Sequence, residues 1–456
     1  MKKLITLLFL LALISGLSIA QNVEIPDTNF IYALIDRGVD TNGDSLISNA
    51  EADAVISLNV GGRSITKMTG IESFINIDSL DCNGNVITDL NLLNNISLTF
   101  LNCAFNQLTS LDISSCTALG ALVCENNQLT SLDVSNNTAL QYLDCEFNQL
   151  TNLDVSNNIA LGYLDCYGNQ LTSLDVSNNT GLYSLGCSGN QLTSLDVSNN
   201  TDLDSLGCSR NQLTNLDVTN NTGLGYLDCS GNQLTSLDVS NNTALYSLAC
   251  ISNQLTGLDV SNNPALTKLY CYDNQLTSLD VSNNPALTKL YCHDNQLTSL
   301  DVSNNLALIE IDCNGNQIIN LNLCTNDSIE KLYIGNMESL DTVYVWETFP
   351  TGVSVSTEGS PNVVFVPCAE GIREIKQQGM SIFPNPVSDI GTFEFENNNN
   401  RKVYLEIFDF SGRLIGEKTS TDEKIEFDFS NYSSGIYFYR LRHSEKIIGA
   451  GKIIRE

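Results

Sequence analysis

A cysteine recurs every 21 residues, at Cys82, Cys103, Cys124, Cys145, Cys166, Cys187, Cys208, Cys229, Cys250, Cys271, Cys292 and Cys313, without one insertion. Around it runs the unit L-x-x-L-x-C-x-x-N-Q-L-T-S-L-D-V-S-N-N-x-A, as at 140–160. A period this strict means one supersecondary unit stacked on copies of itself, a solenoid. Buried positions must then repeat. Side chains that change from rung to rung on an exposed face are free to carry specificity, so the chain reads as a binding surface.

Each unit has two halves of similar form, LQYLDCEFNQ and LTNLDVSNNIA at 140–160. Short alternation argues a strand and the Asn-rich tail a turn, so each rung is expected to carry a strand or extended segment on each of two sides. Twelve such rungs span about 55 Å at strand spacing. Leu143, Cys145, Leu150, Leu153, Val155 and their equivalents are the expected core. The cysteines read as buried small hydrophobes, because stacked in-register side chains point the same way rather than at each other. Cys324 and Cys368 flank the segment after the last rung, where a bridge can form. The Asn column, including Asn127, Asn148, Asn169 and Asn190, is expected to satisfy turn backbone groups.

Residues 1–20, MKKLITLLFLLALISGLSIA, read as a secretory signal peptide cut after Ala20. No later apolar stretch is long enough for a spanning helix. Residues 21–70 read as an N-terminal cap with a helix at NFIYALIDRG, packing Phe30, Leu34 and Ile35, and a second helix over 48–57. The array covers 71–324, a closing β unit 325–368, a linker 369–380, and a small β-sandwich 381–456. The fold class expected is mainly β.

Net charge is −31. Residues 81–324 hold 23 Asp or Glu against only Arg210, Lys268 and Lys289. Such a surface repels phosphate backbones and anionic lipid, which argues against nucleic acid and for cations, basic partners or neutral glycans.

L-x-x-L-x-C-x-x-N-x-L resembles the bacterial leucine-rich repeat in its irregular 21-residue nested class. The resemblance implies a right-handed solenoid with a parallel sheet, used mainly in protein recognition. The strand-like second half departs from it and favours a straighter rod. Ser381-Ile382-Phe383-Pro384-Asn385-Pro386, the Phe410-Ser411-Gly412-Arg413 turn, Gly435-Ile436-Tyr437-Phe438 and Lys452-Ile453-Ile454-Arg455 resemble the C-terminal sorting domain of the type IX (Por) secretion system. That resemblance implies contact with the secretion machinery, removal of the domain, and a place outside or on the outer surface of a Gram-negative cell.

Asp40, Asn42, Asp44, Leu46, Ser48 and Glu51 have the oxygen-ligand spacing of an EF-hand loop, which implies one calcium ion. Ser45 stands where glycine normally permits the left-handed turn, at a cost of about 1 kcal/mol. The alternative is a turn that only caps the second helix. The Asp column Asp112, Asp133, Asp154, Asp175, Asp196, Asp217, Asp238, Asp259, Asp280 and Asp301 needs compensation, from the N–H groups of following residues or from loosely bound cations.

On the first-half strand the outward positions lie three before, one before and one after each Cys. They carry Tyr142, Asp144, Glu146, Tyr163, Asp165, Tyr167, Tyr226, Asp228, Tyr270, Tyr272, Tyr291, His293 and Glu310, with Lys268 and Lys289. Tyrosine beside carboxylate suits peptide or sugar recognition, though stacked tyrosines also stabilise a sheet face. With two histidines in the chain, His293 and His443, and no H-E-x-x-H, G-x-S-x-G or phosphate loop, the chain reads as non-catalytic. The expected function is recognition or adhesion through an unknown protein. The alternatives are a structural acidic calcium-binding rod or a glycan-binding protein.

Overall fold

The computed structural model describes residues 21–346, 352–368, 381–395, 397, 401–409, 413–443 and 446–455. The expected signal peptide, the 369–380 linker and the 410–412 part of the sorting-domain turn lie outside the described residues.

Rung 140–160 shows why the sequence folds as it does. Leu140, Leu143, Cys145, Leu150 and Val155 are fully buried and Leu153 nearly so. They point inward from a short coil whose only regular element is the strand Tyr142–Asp144. That strand pairs in parallel register with Ala121–Val123 and Tyr163–Asp165, one repeat away on each side. The same pairing builds one 15-stranded sheet. The second half is extended but mostly lacks ladder bonds, isolated bridges such as Asn91 to Asp112 aside. Its Asp154 carboxylate takes the Ser156 N–H at 2.9 Å, closing a turn within the rung.

Two asparagine ladders tie the rungs. Asn148 Nδ2 donates to the carbonyls of Cys124 (3.0 Å), Cys145 (3.2 Å) and Glu146 (3.1 Å), and its Oδ1 accepts from Leu129 N–H at 3.0 Å. This is the column expected from the sequence. The second column, Asn158 and its equivalents, is fully buried and was not anticipated. Asn158 Nδ2 donates to Val134 O at 3.0 Å and Asn137 O at 2.8 Å. The twelve cysteines of the period are free and buried, and burial pushes the Cys103 thiol up to about 12. Cys324 and Cys368 are disulfide-bonded.

At the N-terminal end α1 (Thr28–Asp36) starts on Asp27, whose Oδ1 accepts from the Asn29 and Phe30 N–H groups. Phe30, Ala33 and Leu34 are buried, whereas Ile35 is only half-buried. The second helix, α2 (Asn49–Asp53), is shorter than the 48–57 expected. The chain leaves it because Ser57–Asn59 pairs with Ser79–Asp81 as the first strand of the long sheet. That sheet also outlasts the sequence period: Lys331–Tyr333 follows Glu310–Asp312, and Ser354–Ser356 follows in turn. Where Met337 replaces the ladder Asn, Ser360 Oγ donates to Ile334 O at 2.7 Å and accepts from Met337 N–H at 3.0 Å.

The C-terminal unit holds two antiparallel sheets, of three and four strands. Phe393, Ile425 and Phe427 of one meet Leu405, Ile407, Tyr439, Leu441 and Ile453 of the other in a single core, as a β-sandwich requires. Asn385 joins its first and last segments, donating to Lys452 O at 3.1 Å and accepting from Ile454 N–H at 2.9 Å.

Candidate functional site

The three-residue strands turn their middle Leu inward and leave their flanking residues on one outer face, so in-register pairing stacks positions 21 residues apart. Tyr142 faces Tyr163 and Asp144 faces Asp165. The first two rings stack 4.2 Å apart at 4°. Tyr167 meets Phe147 edge-on at 4.8 Å. Further along, Tyr270 meets Tyr291 edge-on at 5.1 Å, and Tyr272 stacks on His293 at 4.0 Å.

The expected residues therefore form two patches rather than one. Tyr163 and Tyr270 lie five strands apart, about 24 Å at strand spacing. Between them the strands carry Ser184, Gly186, Ser205 and Gly207. Tyr226 stands in this interval with serine on both neighbouring strands. Tyr183 and Tyr246, half-exposed and four residues before their cysteines, border the face and were missed from the sequence. They lie over Gly162 and Gly225, where a Cβ would come within 2.8 Å of each ring.

The two patches differ in charge. In the first, carboxylate oxygens of Glu125, Asp144 and Glu146 lie within 4.8 Å of one another. Burial pushes Asp144 up to about 6. Burial and the adjacent Asp165 push Glu146 up to about 7. In the second, Glu310 is buried and bonded by Lys289 at 3.1 Å and Lys331 at 3.3 Å. The Tyr291 hydroxyl and these ammonium groups hold its carboxyl below the usual range. His293 Nδ1 lies 3.3 Å from an Asp312 carboxylate oxygen. The Asp column of the second half is separate: the Ser156 hydroxyl and N–H hold Asp154 low, and its neighbours repeat the pattern.

The 40–51 loop has the bends its ligand spacing requires. Ser45 adopts φ +65°, and its N–H donates to Asp40 at 2.9 Å. Asn42 Oδ1 accepts from Asp44 N–H at 2.8 Å, and Asp44 Oδ1 from Leu46 N–H at 2.9 Å. Glu51 is buried and closes the loop, accepting from Ser48 N–H at 2.9 Å and Thr41 N–H at 2.8 Å. The Ser48 and Thr41 bonds bring its pKa down to about 2. The donor set is all oxygen, as a hard cation requires; the bonded Asp40, Asn42 and Asp44 oxygens each keep a lone pair, whereas the Glu51 oxygens are taken by Thr41, Asn42 and Ser48 donors and would exchange some of them for the ion.

A leucine-rich-repeat model of two copies matches residues 264–306, and a secretion system C-terminal sorting domain model matches residues 381–456. The functional domain of InlJ from Listeria monocytogenes, described as including a cysteine ladder, is 28% identical with a TM-score of 0.65. That match covers 96% of this chain and 100% of the other. The chain thus carries leucine-rich repeats and a C-terminal secretion sorting domain. The Leptospira interrogans LRR protein LIC12759 shares the repeat fold at 20% identity and TM-score 0.58, over 74% of this chain and 99% of that one. So does YopM, an effector from Yersinia pestis, at 21% and 0.56, over 72% and 92%. No curated protein matches the chain. The tail implies export to the cell surface or beyond. Among the described residues no helix is long and apolar enough to cross a membrane.

A pH prediction follows from the first patch of this leucine-rich-repeat face. An acid whose pKa is raised on folding loses its proton earlier in the unfolded chain. Stability therefore falls as pH rises from about 4.5 through about 7. Glu146→Gln should raise the melting temperature at pH 8 and leave it nearly unchanged at pH 4, measured by calorimetry. A lower melting temperature at pH 8 would contradict this.

Proposed function

We propose that the protein is a non-catalytic recognition module, exported through type IX secretion, that binds a protein partner at or outside the cell surface through the strand face. The observation that carries this reading is the division of each rung. The columns of Leu, Cys and Asn repeat almost unchanged, while the outward positions run from Tyr142 and Asp144 through Ser184 and Gly186 to Lys289 and Tyr291. A face built only for sheet stability would have reason to repeat as the core does. Flat aromatic anchors usually dominate contact energy, so the tyrosines are the residues expected to matter individually. The acidic-rod alternative draws on the Asp column, but those carboxylates already hold serine donors.

The full chain and a variant with Tyr142, Tyr163, Tyr167, Tyr270 and Tyr291 changed to Ser should be compared on a surface-protein and glycan array. Binding to a protein should weaken at least about tenfold in the variant, with the fold intact by circular dichroism. Unchanged binding would place the active surface elsewhere, and binding confined to glycans would favour the sugar reading.

The 40–51 loop is proposed to bind one calcium ion through Asp40, Asn42, Asp44, the Leu46 carbonyl, Ser48 and Glu51, stabilising the N-terminal end. Calcium at a hundred times its dissociation constant should add about 2.7 kcal/mol. The expected rise in melting temperature disappears in Asp40→Ala. A calcium-independent melting temperature in the parent chain would reduce the loop to a helix cap.

A further inference from the structure

Between Lys67 and Arg210 the chain contains no Lys, Arg or His. Within that interval Glu125, Asp144 and Glu146 bring carboxylate oxygens within 4.8 Å of one another. Asp165 lies beside them in register with Asp144 and leans over Gly186, where a Cβ would come 2.5 Å from both of its oxygens. Among the described residues, no ion pair reaches any of these four groups. The other end of the same face provides an internal comparison: there Glu310 lies between Lys289 and Lys331, one rung to either side, and is neutralised within the chain. The first patch has the carboxylates without the lysines.

We propose that the strand face from 121 to 186 docks an extended, basic segment of a protein partner, seating a Lys or Arg side chain against the Tyr142–Tyr163 stack and the carboxylates of Glu125, Asp144, Glu146 and Asp165. The proposal rests on the recognition reading above and narrows it to a partner chemistry. Three features support it. The charge complementarity is local, because the first cation along the chain beyond the patch is Arg210. The parallel tyrosine rings offer the flat aromatic wall on which a guanidinium or ammonium group is held. Beyond them Ser184, Gly186, Ser205 and Gly207 leave a low floor along which a partner backbone can continue. Raised carboxyl pKa values at Asp144 and Glu146 agree with groups that lack a counter-charge in the free protein.

The test is selection of linear dodecapeptides from a random display library on the full chain, followed by calorimetry of the selected peptides. Three proteins are compared: the parent, a Glu125→Gln/Asp144→Asn/Glu146→Gln/Asp165→Asn variant, and a Tyr142→Ser/Tyr163→Ser variant. The proposal expects peptides enriched in Lys or Arg, and affinity falling at least about tenfold in the amide variant and again in high salt. Removal of like charges leaves the fold intact, so a melting temperature at or above the parent's validates the amide variant. No enriched peptide, or peptides whose affinity ignores the amide changes, overturns the proposal. In the second case, affinity still lost in the tyrosine variant leaves the recognition reading standing, and affinity retained in both variants removes it as well. Calcium or manganese displacing the peptide at micromolar concentration, and binding alone to the same four carboxylates, would assign the patch to a metal and also overturn the proposal.

Discussion

The buried asparagine amide is the interaction on which the rest of the structure depends. A coil of 21 residues turns sharply twice per rung, and each turn leaves backbone carbonyls facing the interior where no water can reach them. A carboxamide supplies two donors and an acceptor from one short side chain. Asn148 uses these to bind its own rung and the preceding one at once. Because the bonds reach back one repeat, an inserted residue would break contacts in two rungs. The strict length of the period is thus a consequence of hydrogen bonding as much as of leucine packing.

That constraint divides the labour within each rung. The inward columns are fixed by shape and by the amides, which leaves the outer strand positions as the places where composition is free. The protein uses this freedom unevenly. One end of the face pairs stacked tyrosines with carboxylates that no cation among the described residues pairs. The middle is small and flat, and the far end neutralises its buried glutamate with lysines from neighbouring rungs. The sorting tail brings this surface to the outside of the cell, where a partner can meet it.

Much of this was legible in the residues. The period alone places Leu143, Cys145, Leu150 and Val155 inside and Tyr142 and Asp144 outside, because in a solenoid one rung predicts all others. Departures arise where local chemistry overrides the period. The second half stays extended without becoming a ladder strand, although Asp154 captures the Ser156 N–H just as Asp165 on the strand side captures that of Tyr167. The helix expected over 48–57 stops at Asp53 because sheet pairing claims Ser57–Asn59. Ser360 hides the continuation of the sheet by doing an asparagine's work with a hydroxyl. The Glu310 pairing with Lys289 and Lys331 was readable from the 21-residue offset and was overlooked. Tyr183 and Tyr246 carried the same signal, each standing 21 residues after the glycine over which it lies, and were also overlooked.

Unfolding of single-site variants in urea tests most directly whether the amides hold the scaffold while the face remains free. Asn148→Leu, which keeps the volume apolar but orphans the Leu129 N–H and takes one of two donors from each of the Cys124, Cys145 and Glu146 carbonyls, should lower the unfolding free energy by about 2 kcal/mol or more. Tyr142→Ser, on the face, should lower it by no more than about 1.5 kcal/mol, the worth of its ring stack. An Asn148→Leu protein as stable as the parent, or a Tyr142→Ser protein less stable than Asn148→Leu, would contradict the account.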